Sequence, residues 1–476
     1  MAAPALVSVL PTEIIILISQ SIGSRNDLLN FLYTCRHLYN LLLPQLYREP
    51  VAPHDYAGLG EIRRAVSFVQ TILRRPHLAR SVLHLSLELQ ETELTWVGPC
   101  ALNPDLEYDD VLVGEALNTA AISAEDREEW EIDIAGGYCD AWLALLFPAL
   151  SNLKSLRFVF SAKTRFIPRM LERAINRQRP FTTRDPLSTL NEITALWHVE
   201  YYEDDSDGVF HSSYVAFDIT QFAKLPALQT LRGHQIAFPP VHGGGADQEL
   251  SLQPGSSPIT KLNISSGMSE DGLLGLIKSC KAIKYLRYTE FTPAAGFRPD
   301  CFRRSLPLTK GSLEELWIDY GDYSYPYYER ENDWIGSFQD FSRLRKLHIR
   351  LPNLFSWSPR TTSHPHIVPM QRLTSLLPPS IETLCITECI GDQGHALVSQ
   401  LEDLVRNKQT YTPRLSQIEI YIDFLIEEEI HDSIEYACER KQIDFAVRRW
   451  WDLNDVTYPS RDDGCILQDT FWFFDY

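Results

Sequence analysis

One short pattern recurs along most of the chain: an apolar residue, another three positions later, and a third two after that. It occurs as Val82/Leu85/Leu87, Leu153/Leu156/Phe158, Ile193/Leu196, Leu228/Leu231, Ile259/Leu262/Ile264, Ile283/Leu286/Tyr288, Leu313/Leu316/Ile318, Leu344/Leu347/Ile349, Ile381/Leu384/Ile386 and Leu415/Ile418/Ile420. The last two members of each set alternate, as in a strand with one buried face. From Leu231 onward the central residues are separated by 31, 24, 30, 31, 37 and 34 residues. One short strand at such a period cannot bury its apolar face alone, so neighbouring units must stack into a continuous core. The competing reading is a non-repetitive α/β domain with short apolar strands, against which the number of copies weighs.

The segments between strands read as helices. Residues 271–280 carry Leu273, Leu274, Leu276 and Ile277, and residues 396–406 carry Leu397, Leu401, Leu404 and Val405. Residues 61–76 form an amphipathic helix and 427–440 a last one, followed by a closing strand through Ile443, Phe445 and Val447. Strand then helix at this period resembles an irregular leucine-rich repeat. The resemblance implies an α/β solenoid of strand–helix repeats with a curved parallel sheet. The asparagine that closes many such repeats is missing.

Residues 6–50 read differently. Pro11 suits a first helical turn, and Ile14, Ile15, Leu17, Ile18 and Ile22 follow at helical spacing. Gly23-Ser24 ends that helix, and Asn26 or Asp27 is expected to cap a second one bearing Leu28, Leu29, Leu32 and Cys35. A third helix runs from about 36 to 47 through Leu38, Leu41, Leu42 and Leu46, with Pro44 kinking it or ending it early. Three helices this short need a partner surface.

Leu10-Pro11-x-Glu13-Ile14, Asp27-Leu28-Leu29, Thr34-Cys35-Arg36-x-Leu38-Tyr39 and Leu43-Pro44-x-Leu46-Tyr47-Arg48 together resemble an F-box of the fungal type. That resemblance implies docking on a Skp-type adaptor and, through it, a cullin–RING ubiquitin ligase; an adaptor-bound scaffold outside a ligase, or a plain leucine-rich-repeat interaction protein whose N-terminal helices only cap the repeats, are the alternatives. The family's contact positions fall on Leu10, Pro11, Glu13, Ile14, Ile18, Leu28, Leu32, Cys35, Leu38 and Leu42. Leu28 and Leu32 equally suit internal packing. The implied organisation is an adaptor-binding F-box over residues 1–50 and a substrate-binding repeat domain over 51–476.

Insertions are expected near 88–140, 237–258 and 319–334. The first holds fifteen acidic residues against one basic residue, Arg127, and reads as an acidic, partly helical loop or as a docking site for a basic partner. The second carries Pro239-Pro240 and Gly243-Gly244-Gly245, a surface-loop composition. The third is rich in tyrosine: Tyr320, Tyr323, Tyr325, Tyr327 and Tyr328. The apolar terminus, with Trp450-Trp451 and Phe471-Trp472-Phe473-Phe474, is expected to fold back on the last repeat.

The net charge of -19 argues against a general nucleic-acid binder. Nine scattered cysteines without a CxxC pair suit reduced thiols in cytosol or nucleus. No stretch of about twenty apolar residues is present, so no membrane span is expected. No catalytic elbow, phosphate loop or zinc motif is found, so neither enzyme activity, cofactor nor metal is expected. His364-Pro365-His366 reads as a surface loop. Function then falls to strand residues facing away from the core, among them Arg157, Trp197, Arg232, Tyr285, Arg287, Glu315, Trp317, Lys346, His348, Arg350 and Tyr421. Arg157, Trp197, Arg232, Arg287, Trp317, His348 and Arg350 are the candidate groove. Its local basic balance suggests an acidic or phosphorylated target segment held by arginine forks; ordinary exposed strand residues are the alternative.

Overall fold

A computed structural model describes residues 10–50, 59–88, 106–160, 164–182, 187–197, 201–203, 210–212, 219–234, 252–265, 270–290, 299–320, 333–358, 368–389, 391–422 and 428–449. The chain forms two compact units, Met1–Gln235 and Ile236–Tyr476.

The first unit opens with α1 (Thr12–Gln20), α2 (Arg25–Tyr33) and α3 (Arg36–Leu46). Ile15, Leu32, Leu38 and Leu42 are their shared core, with Leu10, Leu28 and Phe31 packed against it. Ser24, rather than Asn26 or Asp27, caps α2 by accepting from the Asp27 N–H at 3.4 Å. The Cys35 sulfur takes the same role at α3, accepting from Leu38. Pro44 lies in the last turn of α3, which ends two residues later.

The chain then passes directly onto a sheet edge. The Arg48 carbonyl accepts from the N–H groups of Leu83 and His84, and the Pro50 carbonyl from that of Ser86. Next come α4 (Leu59–Arg74), α5 (Pro76–Ala79), β1 (His84–Glu88), α6 (Asp110–Ala120), α7 (Ala124–Ala135), α8 (Cys139–Ala144), β2 (Ser155–Phe160) and α9 (Phe166–Ile175). The unit closes with β3 (Glu192–Trp197), a small antiparallel pair β4 (Tyr201–Glu203) and β5 (Phe210–Ser212), and β6 (Thr230–His234). Strands β1, β2, β3 and β6 are parallel neighbours in that order.

Their register aligns Leu85, Leu156, Ile193 and Leu231. The third repeat is therefore Leu190/Ile193/Ala195, three residues earlier than expected from Ile193/Leu196. Ala195 is small enough to be passed over in a hydrophobic pattern, while Leu196 is also buried. A single hydrogen-bonding device repeats along the sheet. The carbonyl two positions before the central residue, such as that of Leu83, Lys154 or Asn191, accepts two N–H groups from the next repeat. Arg48 does the same for the first repeat, so the three-helix segment ends as a cap on the sheet.

Residues 110–144 correct the reading of an acidic insertion. They fold as α6 to α8 and bury Trp130 and Trp142 completely. Trp130 lies 4.4 Å from the Phe166 ring, and Trp142 packs edge-on to Tyr108 and donates to the Ile134 carbonyl. The acids of α7 meet a basic stripe on α9. Arg165 pairs with Glu129 and Asp133, Arg169 with Asp126 and Glu129, and Arg173 with Asp126. The Asp140 carboxylate accepts from the backbone N–H groups of Arg165, Phe166 and Ile167 at the start of α9. The basic partner of the acidic segment is thus the chain's own next helix.

This pairing makes a pH prediction. A hydrogen bond from Arg169 holds the Glu129 carboxyl below the usual carboxylate range. A depressed folded-state value contributes stability that is fully present above the unfolded value of 4.5 and is lost as pH falls below 4.5 and through the lower folded-state value. Arg169→Gln is expected to destabilise by about 1 kcal/mol near neutrality, since the pair is partly exposed. The gap in Tm between variant and wild type should close as the pH drops below that value.

The second unit contains β7 (Lys261–Ser265), α10 (Glu270–Ser279), β8 (Tyr285–Glu290), α11 (Pro299–Ser305), β9 (Glu315–Tyr320) and β10 (Lys346–Arg350). It continues with α12 (Leu351–Leu354), α13 (Leu373–Leu376), β11 (Thr383–Cys389), α14 (Gly391–Arg406), α15 (Lys408–Tyr411), β12 (Gln417–Ile422), α16 (Glu428–Arg440) and β13 (Asp444–Arg449). The seven strands β7 to β13 are parallel and adjacent in chain order. Leu262, Leu286, Leu316, Leu347, Leu384, Ile418 and Phe445 stand in one register row, as the repeat period requires. The α/β class with one parallel strand per repeat is what the pattern predicts.

The tyrosines 323–328, the glycine run 243–245, the histidines 364 and 366 and the terminus from 450 lie outside the described residues, as do the side chains of Trp197 and Tyr320. Among the described residues no helix is long and apolar enough to cross a membrane.

Candidate functional site

Two surfaces emerge. The first is on α1. Ile15 and Ser19 turn inward, while Ile14, Leu17 and Ile18 are 42%, 57% and 41% exposed. Positions 14, 17 and 18 share one helix face, so three large apolar side chains form a stripe open to solvent. Tyr33 of α2, also exposed, adds to the apolar surface of the bundle.

The expected contact set divides in this geometry. Pro11, Glu13, Ile14, Ile18 and Cys35 are exposed, and Leu10 and Leu28 are partly buried against the bundle core. Leu32, Leu38 and Leu42 are fully interior and hold the bundle together, which corrects their reading as contacts. Leu17 and Tyr33, which lie outside that set, are exposed beside it, and the spacing of Leu17 to Ile14 and Ile18 is a readable signal of the shared face.

The second surface is the side of the second unit's sheet facing away from its core. Successive strands align Asn263, Arg287, Trp317, His348, Cys385 and Glu419 in one row. The Arg287 guanidinium lies 4.6 Å above the Trp317 ring. Trp317 and His348 stack at 3.5 Å with planes 8° apart. Burial lowers the pKa of His348, against the pull of Asp319 3.4 Å away.

Arg350 takes a different part from the one its position in the strand suggests. It is 8% exposed and clamps Glu388 by two bonds, Nε to Oε1 at 2.6 Å and Nη2 to Oε2 at 2.8 Å. Burial opposes its charge, yet Glu388, then Asp333 and Asp319, hold the guanidinium above the ordinary arginine range. Glu388 sits beside a break in register, with a left-handed φ of 53° that turns its side chain to Arg350. Arg350 therefore serves the protein interior rather than a target.

In the first unit, Arg157, Thr194 and Arg232 share a row. Arg232 is engaged by Glu192 at 3.2 Å. Trp197 pairs with Phe160 instead, because the third repeat starts earlier than expected. The structure thus gathers Arg287, Trp317 and His348 into one stack and commits Arg350 to Glu388 instead; Arg157, Trp197 and Arg232 belong to the first unit.

Beside the stack lies a depression of about 220 Å³. Its existence follows from side-chain size. β11 presents Thr383 and Cys385, whereas β10 presents Lys346 and His348 and β12 presents Gln417, Glu419 and Tyr421. Burial pushes the Cys385 thiol well above its ordinary range, so it is a packing group there.

A family model described as a leucine-rich repeat domain matches residues 60–443. No curated protein matches the chain. The matched span starts after the three-helix segment and takes in the strands of both units from β1 to β12. Such a domain points to protein–protein interaction as its business, and the chain belongs to the leucine-rich repeat domain family.

Proposed function

We propose that the chain is the substrate-receptor subunit of a Skp–cullin–F-box ubiquitin ligase, working in cytosol or nucleus. The α1 stripe docks on the Skp-type adaptor, and the repeat domain holds a target protein. The subunit carries out no bond chemistry of its own. It raises the local concentration of target lysines near the conjugating machinery. The observation that carries this reading is the exposed row of Ile14, Leu17 and Ile18 on a helix whose opposite side is already packed. An apolar patch of that kind marks an interaction site. The Arg48 cap on β1 adds a second support, since it ties the adaptor-binding helices to the first strand of the repeat domain.

The test is capture of purified Skp-type adaptor by the intact chain and by an Ile14→Glu, Ile18→Glu variant. Both residues are surface groups, so the variant keeps its Tm within about 0.5 kcal/mol equivalent. Adaptor affinity is expected to fall by about a hundredfold or more, because two charges would be desolvated in an apolar interface. A folded intact chain that ignores the adaptor would reduce the helices to a cap of the repeat domain.

A further inference from the structure

The depression over β11 has a directional chemistry. Its strand neighbours lie about 5 Å away on each side, so the β10 and β12 backbones that flank it stand about 10 Å apart. The floor is Cys385, packed against the buried Tyr421. One wall is the His348 ring, itself stacked on Trp317. The other wall ends in the Glu419 carboxylate.

The charges around the slot are unequally satisfied. Lys346 is matched by Glu315 at 3.2 Å. Arg287 covers Trp317, and Arg350 is locked to Glu388. Glu419 has neutral donors, the Gln417 amide at 2.9 Å and the Tyr421 hydroxyl at 3.5 Å. Its cation, Arg448, stands at 3.8 Å and is 46% exposed. That ion pair is long and its cation well exposed, so the carboxylate has room for a stronger donor. The net charge of -19 favours approach of a basic partner over an acidic one.

We infer that this slot is an anchor pocket for one lysine or arginine side chain of a basic target segment. The aliphatic stem lies over Cys385 between His348 and Tyr421, and the cationic head meets Glu419. This deepens the receptor reading, from which it takes the sheet face as the target side. It replaces the acidic or phosphorylated segment suggested by the strand arginines, because the structure commits Arg232 and Arg350 to partners of their own.

The experiment is calorimetric titration of the full chain, at about 0.15 M salt to suppress diffuse attraction. The probes are a short Gly-Ser peptide carrying several arginines and matched peptides carrying leucine or glutamate instead. The arginine peptide is expected to bind, and the other two to bind at least tenfold more weakly. Glu419→Gln, which keeps shape and removes charge, should weaken the arginine peptide by about tenfold or more. Cys385→Leu, which fills the slot and keeps charge, should do the same; Thr383→Leu fills it from an adjacent row should the first fail to fold. Equal binding of the leucine peptide, affinity unaltered by both kinds of variant, or no binding at all would overturn the anchor. Adaptor capture by the same preparations reads the α1 surface separately, so failure of the anchor is told apart from failure of the receptor reading.

Discussion

Replacing Arg350 by methionine is expected to lower the unfolding free energy by about 3–5 kcal/mol. The guanidinium is buried and is acted on by three carboxylates, Glu388, Asp319 and Asp333. Taking it away leaves those carboxylates in a poorly solvated interior without that cation. Burial already raises the Glu388 pKa, with Arg350 pulling it back. In the variant that pull is lost, so the folded-state value rises further above the unfolded 4.5. A carboxyl raised in the folded state leaves stability intact below the unfolded value and removes it as pH rises through the folded value. The deficit should therefore grow between about pH 5 and pH 8. Glu388→Gln should cost less, because Arg350 keeps Asp333 and Asp319. Urea unfolding followed by circular dichroism at both pH values checks this; equal losses at the two would show that the carboxylates are not the origin of the effect.

Trp142→Ala is expected to cost about 3–5 kcal/mol. The side chain is fully buried, meets Tyr108 at 5.1 Å between ring centres and donates its indole N–H to Ile134. The alanine leaves a cavity at the junction of α7 and α8, and the Ile134 carbonyl keeps only the Gly137 N–H of its two donors. The measurement is the thermal or urea midpoint. It also decides what residues 110–144 are. An appended acidic loop would tolerate the change with an unaltered midpoint, whereas a structural part of the first unit would not.

Much of the architecture was legible in the residues. The Leu/Ile triplets predicted every strand from β6 to β12, and they did so because burying one side of a strand imposes a local alternation that needs no knowledge of partners. The helices at 270–279 and 391–406 were legible for the same reason, with a period of 3.6 in place of two. The α1 stripe could be read from Ile14 and Ile18, and Leu17 belonged to it by spacing. The basic stripe of α9 also left a trace, since Arg165, Arg169 and Arg173 recur every fourth residue after an acidic block.

Other features had no local signature. Ala195 hid the true register of the third repeat, because a methyl group and a leucine can both fill a core position. Arg350 occupies a strand position that alternation assigns to the surface, yet its partner comes from Glu388 on the neighbouring strand, turned inward by a left-handed residue. The slot at Cys385 exists only because larger residues stand on both neighbouring strands. Periodicity is a property of consecutive residues, so the chain by itself determined the repeats. Which charges meet, and where small side chains leave room, depends on the register between segments some thirty to forty residues apart, which only the stacked tertiary structure decides.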